Sequence, residues 1–342
     1  MRVESILPLL KPYVLALAVS FGVAGVLMIA LGYDPLQSFS VLISAPFTSE
    51  RGLAETLMKF TPLLLAGFAF AIPLRAGLFN IGGWGQMLVG GTVVGLLGLA
   101  LRDFYVPSPI FVLLLILAAS LAGALWAAVP AVLRTQFGAK EIVTTIMMNF
   151  IAVYVVKYVC IIPPWADPVM GHPMTFKIVA EAQLPRLGRF HVGVILVLAI
   201  AIATYFFMNR SIPGYEIKAV GANPTASQVF GIHTKRVMFL SLAIGGAMAG
   251  IGGAIEVMGV HHRLVDGFAL TCGAHYGVYG ILTALVALGS FAGLPVAAFL
   301  ISGLLVGADA MQRTIGVPVE LVFIIQALIV VLVVWIKKVR PG

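Results

Sequence analysis

A glycine-rich stretch with polar ends, NIGGWGQ at residues 80–86, holds side chains that could recognise a polar solute. Asn80 and Gln86 supply amide donors and acceptors at its two ends, and Gly82 could leave the backbone itself open to contact. The indole of Trp84 could stack on a planar base or on the face of a sugar. Hydrogen bonding and stacking of this kind bind a molecule without making or breaking its covalent bonds.

The sequence lacks the common motifs of bond-breaking and cofactor chemistry. It has no GxxxxGKS or GxxxxGKT loop to hold nucleotide phosphates, and neither HExxH nor GxSxG occurs. GIGGAIE, at residues 250–256, is similar to a dinucleotide-binding loop, but it lies inside an apolar run with no preceding strand. His261 and His262 have no third ligand at metal-site spacing. We therefore expect neither an enzyme nor a metal site.

Composition identifies the chain as a membrane protein. Of its 342 residues 61% are apolar and 10% are charged, whereas a soluble protein has roughly a quarter of its residues charged. Runs of about 20 apolar residues recur along the sequence, and in lipid a helix satisfies its own backbone hydrogen bonds. We therefore predict a single all-α, polytopic transmembrane domain over residues 1–342, with about ten transmembrane helices. The predicted spans are 13–31, 58–74, 80–101, 109–133, 142–162, 191–209, 237–258, 275–290, 294–311 and 317–336.

The distribution of charge predicts the orientation in the membrane. If the N-terminus is inside, the inner segments hold twelve Lys and Arg residues against three acids, and the outer segments hold seven against nine. Because basic residues concentrate in cytoplasmic loops, both termini are predicted to be cytoplasmic. The same rule accounts for the net charge of +8. No Lys/Arg run with interleaved aromatic residues occurs outside the spans, so no nucleic-acid partner is expected.

Polar residues inside the predicted spans have two interpretations that the sequence supports equally. They line a translocation pathway, or they hydrogen-bond within the helix bundle. The pathway candidates are Asn80, Gly82, Trp84, Gln86 and Asn149. Small residues at four-residue spacing, such as Gly246 and Gly250, are predicted to let helices pack closely. Asp309 and Arg313 are predicted to form an ion pair along one helix, and Lys59 lies near an outer end, where its amine could reach the interface.

The largest internal cytoplasmic loop, residues 210–236, contains the signals of a short capped helix. Asn223 can accept hydrogen bonds from the free amides of a first turn, and Pro224 fits the first helical position. Gly231 can adopt the left-handed conformation that ends a helix. The apolar face of this helix comprises Ala226, Val229 and Phe230. Because so short a helix is marginal alone in water, a docking surface for a cytoplasmic partner is the preferred interpretation. A helix on the membrane surface and a simple connector are the alternatives.

Five passages of the sequence together carry a family signature. They are GLFNIGGWGQM (77–87), FGAKEIVTTIMMNFIA (137–152), GYEIKAVGANPTASQVFGI (214–232), GGAMAGIGGAIEVMGVHHRL (245–264) and GVPVELVFIIQALIV (316–330). In this order they resemble permease subunits of bacterial ABC importers, in the ribose-type branch that handles simple sugars and nucleosides. The last two passages and the length of the chain are more similar to the nucleoside branch. The resemblance implies the ribose-type ABC permease fold and a location in the bacterial cytoplasmic (inner) membrane.

The resemblance also implies the function and the partners. It implies a translocation pathway for nucleosides or related small polar solutes, and a coupling helix in the loop 210–236 that lies in a cleft of an ABC ATPase subunit. The loop residues that match the family are Gly214, Tyr215, Glu216, Gly221, Asn223, Pro224, Ala226, Val229 and Gly231. The expected assembly also contains a second permease subunit that is a different chain, an extracytoplasmic substrate-binding (lipo)protein and membrane lipid. ATP and Mg would bind the ATPase, and no cofactor is expected in this chain.

Two departures from the family pattern concern the predicted pathway. Trp84 stands where the family usually has an acidic residue in NIGxEGQ, and HYGVYGILTALVALGS at residues 275–290 differs from the usual glycine and aspartate pattern. The substrate therefore stays open, and a simple-sugar ABC permease is one alternative. An ion-coupled secondary transporter is a weaker alternative, because the spans have almost no acidic residue near their middle.

Two outer segments, residues 32–57 and 163–190, contain Pro, aromatic residues and mixed charge. They are predicted to form short interfacial helices or a docking surface. Cys160 and Cys272 both lie near outer ends of spans, so that a bridge between them is one hypothesis. Two small buried thiols are the preferred interpretation.

Overall fold

The structure is a computed structural model that describes residues 7–169, 171–266, 274–287 and 289–339. Thirteen α-helices make up most of this part of the chain. They are α1 (Leu7–Ala30), α2 (Pro35–Phe47), α3 (Glu50–Arg75), α4 (Gly83–Ala100), α5 (Ser108–Phe137), α6 (Glu141–Ile161), α7 (Gly193–Arg210), α8 (Ile212–Ala222), α9 (Pro224–Val229), α10 (Thr234–Glu256), α11 (Ala274–Val286), α12 (Leu294–Ile315) and α13 (Glu320–Val339).

Seven of the described helices are long and apolar enough to cross a membrane, namely α3, α4, α5, α6, α7, α10 and α12. The other three predicted spans coincide with shorter apolar stretches of α1, α11 and α13. Each predicted span therefore corresponds to a helix, and the prediction of an all-α polytopic membrane protein is confirmed.

Helix α10 packs against several neighbours, and its glycines allow contact between backbones. A Cβ atom on Gly246 would overlap the carbonyl oxygen of Gly123 in α5, and one on Gly250 would overlap that of Ala119. A Cβ atom on Gly253 would likewise overlap the carbonyl oxygen of Met87 in α4. Such close approach is how small residues hold membrane helices together, since apolar side chains gain little by leaving lipid. The packing prediction for Gly246 and Gly250 is confirmed.

The outer segments contain more regular structure than the sequence indicated. Asp34 begins α2, because its carboxylate accepts a hydrogen bond from the amide of Leu36 at 2.9 Å. In the segment 163–190, strands β1 (Arg186–Leu187) and β2 (Phe190–His191) form a hairpin that is too short to leave a periodic signal. Cys160 is a buried free thiol, and Cys272 lies outside the described residues.

Ion pairs join α3 to α12 and show that one prediction was wrong. Asp309 was expected to pair with Arg313 on its own helix, but its carboxylate lies 2.6 Å from the amine of Lys59 in α3. Arg313 lies 3.9 Å from the carboxylate of Glu55, also in α3. The reason is that α12 packs alongside α3, so that each charge meets an opposite charge across the helix contact.

Cysteine labelling checks the predicted orientation. Lys140 is exposed directly before α6, and Lys177 is exposed in the outer segment 163–190 that follows α6. In a background without the two native cysteines, Lys140→Cys should react with a membrane-impermeant maleimide from the cytoplasmic side and Lys177→Cys from the outer side. Reaction of both positions from the same side would contradict the orientation.

Candidate functional site

The loop predicted to dock a partner folds as two consecutive helices, α8 and α9. Ser211 caps α8 by accepting a hydrogen bond from the amide of Gly214 at 3.1 Å, and Asn223 caps α9 by accepting one from the amide of Ala226 at 3.0 Å. Gly231 follows α9 with φ of +81°, the left-handed conformation that favours glycine. The predicted cap and end of α9 are therefore confirmed. Helix α8 was not predicted, and α10 already begins at Thr234, inside the predicted loop.

The end of α9 presents apolar side chains to the surroundings. Val229 is 82% exposed and Phe230 is 84% exposed, whereas Ala226 is half-buried. Tyr215 of α8 is exposed as well, and Glu216 beside it is half-buried. Neighbouring exposed apolar side chains are typical of a surface that another molecule covers. The geometry of α9 therefore agrees with a docking helix.

Helix α8 packs its backbone directly on the ends of two membrane helices. A Cβ atom on Gly221 would overlap the carbonyl oxygen of Arg75, the last residue of α3, and one on Gly214 would lie 2.8 Å from the Cα atom of Met208 in α7. Ile217 is buried between these glycines. At these two points the backbone of α8 lies directly against α3 and α7, with no flexible side chain between them.

A break of seven residues, 76–82, follows α3, and two amides hold its shape. Asn80 donates to the carbonyl of Ala69 and to the side-chain oxygen of Gln86, each at 3.0 Å. Gln86 donates back to the side-chain oxygen of Asn80 at 3.0 Å, and the amide of Gly82 donates to that same oxygen at 3.1 Å. Asn80 and Gln86 are both buried, so these bonds satisfy groups that would otherwise be costly in the bundle.

Asn149 of α6 binds the same break from the neighbouring helix. Its side-chain oxygen accepts from the amide of Gly85 at 2.8 Å, and its amide donates to the carbonyl of Ile81 at 3.0 Å. The free amides at the start of a helix need such partners, and here a side chain from α6 provides one for α4. The structure thus brings Asn80, Gln86 and Asn149 together around one helix start.

Trp84 lies where α4 meets α11. A Cβ atom on Gly277 of α11 would lie 2.7 Å from the Cβ atom of Trp84, so the two helices touch at this point. The Trp84 side chain is half-buried and packs against the main core. Among the predicted pathway side chains it is the one that keeps substantial exposure, and its contact with a solute stays a prediction.

Two charged residues that were not among the predicted site residues lie beside the break: Glu141 binds it directly, whereas Arg75, which precedes it, binds a residue after α11. The carboxylate of Glu141 lies 3.3 Å from the guanidinium of Arg134, and its other oxygen accepts from the amide of Phe79 at 3.4 Å. Arg75 donates from Nε to the carbonyl of Gly289 at 3.1 Å. The available signal was that Glu141 is one of three acids among many basic residues on the inner side.

Comparisons with known proteins agree on the class of protein. The family model described as "Branched-chain amino acid transport system / permease component" matches residues 52–334. The chain is 34% identical to the guanosine ABC transporter permease protein NupP of Bacillus subtilis, over 95% of the chain and 92% of that protein. It is 32% identical to a glucose ABC transporter permease protein of Haloferax volcanii, over 96% of the chain and 89% of that protein. It is 30% identical to the nucleoside ABC transporter permease protein NupB of Lactococcus lactis, over 92% of the chain and 88% of that protein. No solved structure matches the chain.

Proposed function

Because the chain belongs to the family of branched-chain amino acid transport system permease components, we propose that it is the permease subunit of an ATP-driven importer for nucleosides. Nucleosides are preferred to sugars because two of these three relatives, NupP and NupB, are named for guanosine and nucleosides, and one is named for glucose. The chain lacks a phosphate-binding loop, so ATP and Mg would bind a separate ATPase subunit. A second, different permease chain and an extracytoplasmic binding protein complete the proposed assembly.

One observation carries this proposal: α9 exposes Val229 and Phe230 at the end of a short capped helix whose neighbour α8 packs on the backbone of α3. A helix of six residues gains little stability by itself, so this surface is best explained by an ATPase that covers it. Closure of the ATPase would then move α8 and the end of α3 together. The break after α3, and Trp84 beyond it, would change position in response.

Uptake into vesicles tests the proposed function. Membranes that contain the chain with its ATPase, second permease and binding protein should take up labelled guanosine only when ATP is supplied on the cytoplasmic side. Unlabelled nucleosides should compete for this uptake, and glucose should not. Competition by glucose alone would favour the sugar alternative, and uptake driven by an ion gradient without ATP would contradict an ATP-driven importer.

Trp84 provides a test of the proposed pathway. Trp84→Ala should lower the rate of nucleoside uptake about fivefold, because a stacking contact with a base is worth roughly 1 kcal/mol, while the Cβ contact with Gly277 in α11 is kept. Assembly with the ATPase and basal ATP hydrolysis should survive. Trp84→Phe keeps an aromatic ring and is expected to retain most of the uptake. Unchanged uptake kinetics in Trp84→Ala would leave this residue with a packing role alone.

A further inference from the structure

The cytoplasmic ends of α5 and α10 enclose a groove of about 440 Å³ that the proposed transport mechanism does not use. A second cavity of about 390 Å³ adjoins it on the side of α9 and shares the lining residues His233 and Lys235. The lining of the first groove includes Val132, Gln136, His233, Lys235, Arg236 and Phe239. This space lies where the helices leave the membrane, because α10 begins at Thr234 and α5 ends at Phe137.

The groove is positively charged at its cytoplasmic end. Lys235 and Arg236 are both exposed, and neither forms an ion pair with any residue in the described ranges of the chain. The nearby Arg134 differs, because it is already paired with Glu141 at 3.3 Å. The groove lining contains no acidic residue. Two uncompensated cations in one concave site favour an anionic ligand.

The groove becomes apolar toward the membrane. Val132 lies one helical turn deeper than Gln136 in α5, and Phe239 lies one turn deeper than Lys235 and Arg236 in α10. Val132 is exposed and Phe239 is half-buried, so both can be contacted from outside. A ligand that fits this gradient has a negatively charged head and an apolar body.

We propose that this groove binds one anionic phospholipid of the cytoplasmic leaflet. Lys235 and Arg236 bind the phosphate, Gln136 and His233 offer hydrogen bonds to the head group, and an acyl chain lies on Val132 and Phe239. Basic pockets between membrane helices on the cytoplasmic side are suited to anionic lipid head groups, and the inner leaflet supplies these lipids at high local concentration. A free phosphate ion would leave the apolar half of the groove unused.

Lipid binding to the purified full-length chain tests this proposal. In native mass spectrometry, the chain should retain phosphatidylglycerol in preference to phosphatidylcholine. The double variant Lys235→Gln/Arg236→Gln should bind phosphatidylglycerol roughly twenty-five times more weakly, about fivefold for each charge removed. The matched control Lys140→Gln/Arg210→Gln removes two exposed inner cations outside the groove and should bind like the unmodified chain. Inorganic phosphate should not displace the lipid.

Three results would overturn the proposal. Equal loss of phosphatidylglycerol in the control would show that general surface charge is responsible. Displacement by inorganic phosphate would reduce the site to an ion site. Full lipid retention by Lys235→Gln/Arg236→Gln, combined with loss of a co-purified ATPase, would assign the groove to protein docking instead. These outcomes concern lipid and ATPase binding, so they are independent of which solute the chain transports.

Discussion

Val229→Asp is expected to abolish ATP-driven uptake while the membrane bundle stays folded. Val229 is 82% exposed at the end of α9, so that a carboxylate there is fully hydrated in the isolated chain. In the proposed complex the same carboxylate would enter the ATPase cleft, where an unpaired buried charge costs several kcal/mol. Retention of the ATPase during purification should fall by roughly a hundredfold, and stimulation of ATP hydrolysis by loaded binding protein should disappear.

Matched variants separate docking from folding. Val229→Leu keeps the position apolar and should retain both the ATPase and uptake. Asn223→Ala removes only the cap of α9, worth about 1 kcal/mol, and should weaken ATPase retention less than Val229→Asp does. Normal uptake and full ATPase retention in Val229→Asp would show that the α8–α9 segment is a connector without a docking role.

Gly250→Leu is expected to prevent assembly of the helix bundle. A Cβ atom at this position would overlap the carbonyl oxygen of Ala119 and lie 3.2 Å from the Cα atom of Gly123. Backbone atoms of α5 cannot move aside as a flexible side chain can, so α10 and α5 would have to separate. Overpacking a core costs about 1–3 kcal/mol when side chains can adjust, and the cost here should exceed that range. The variant should aggregate in size-exclusion chromatography or unfold at a much lower temperature.

Gly22→Leu is the matched control for this packing prediction. A Cβ atom on Gly22 of α1 has no neighbour within 4 Å among the described residues. The same change in size and apolarity should therefore leave elution and thermal unfolding unchanged. If Gly250→Leu elutes and unfolds like Gly22→Leu, this result would contradict the close contact between α10 and α5.

Local signals in the sequence were sufficient for the spans and for α9. A membrane span must be apolar over its full length and must satisfy its own backbone, so hydropathy alone indicates its position. The cap of α9 depends on Asn223, on Pro224 next to it and on Ala226 three residues along, so it is formed within one short stretch of the chain. Such features need no knowledge of which helices lie side by side.

Helix α8 and the short hairpin were missed although they are local, but the missed side-chain pairings all depend on contacts between distant parts of the chain. Lys59 meets Asp309 because α3 and α12 are neighbours, whereas the sequence predicted Arg313, four residues along the same helix, as the partner of Asp309. Arg75 binds the carbonyl of Gly289, and Glu141 binds the amide of Phe79, for the same kind of reason. These pairings follow from the arrangement of the helices, which hydropathy does not specify.

For the predicted pathway residues, the sequence indicated their positions but not their role. The sequence identified Asn80, Gln86 and Asn149 as unusual polar groups but supported a pathway and internal hydrogen bonding equally. In the structure their polar atoms bond one another and the backbone around the break. Trp84, which is half-buried, is therefore the side chain in this region that we expect to contact a solute.

Cross-linking from α9 to the ATPase is the most direct test of the proposed coupling. The test uses the full transporter, in which the permease carries Phe230→Cys and lacks its two native cysteines. A second cysteine is engineered in the ATPase cleft, and a short bifunctional thiol reagent is added to link the two positions. Tyr154→Cys, exposed on the membrane helix α6, is the control position. Position 230 is expected to give an adduct with the combined mass of permease and ATPase. The yield of this adduct should change when ATP is bound. Position 154 is expected to give no adduct. The absence of an adduct from both Val229→Cys and Phe230→Cys, with Lys140→Cys linking to the ATPase instead, would contradict the assignment of α9 as the coupling helix.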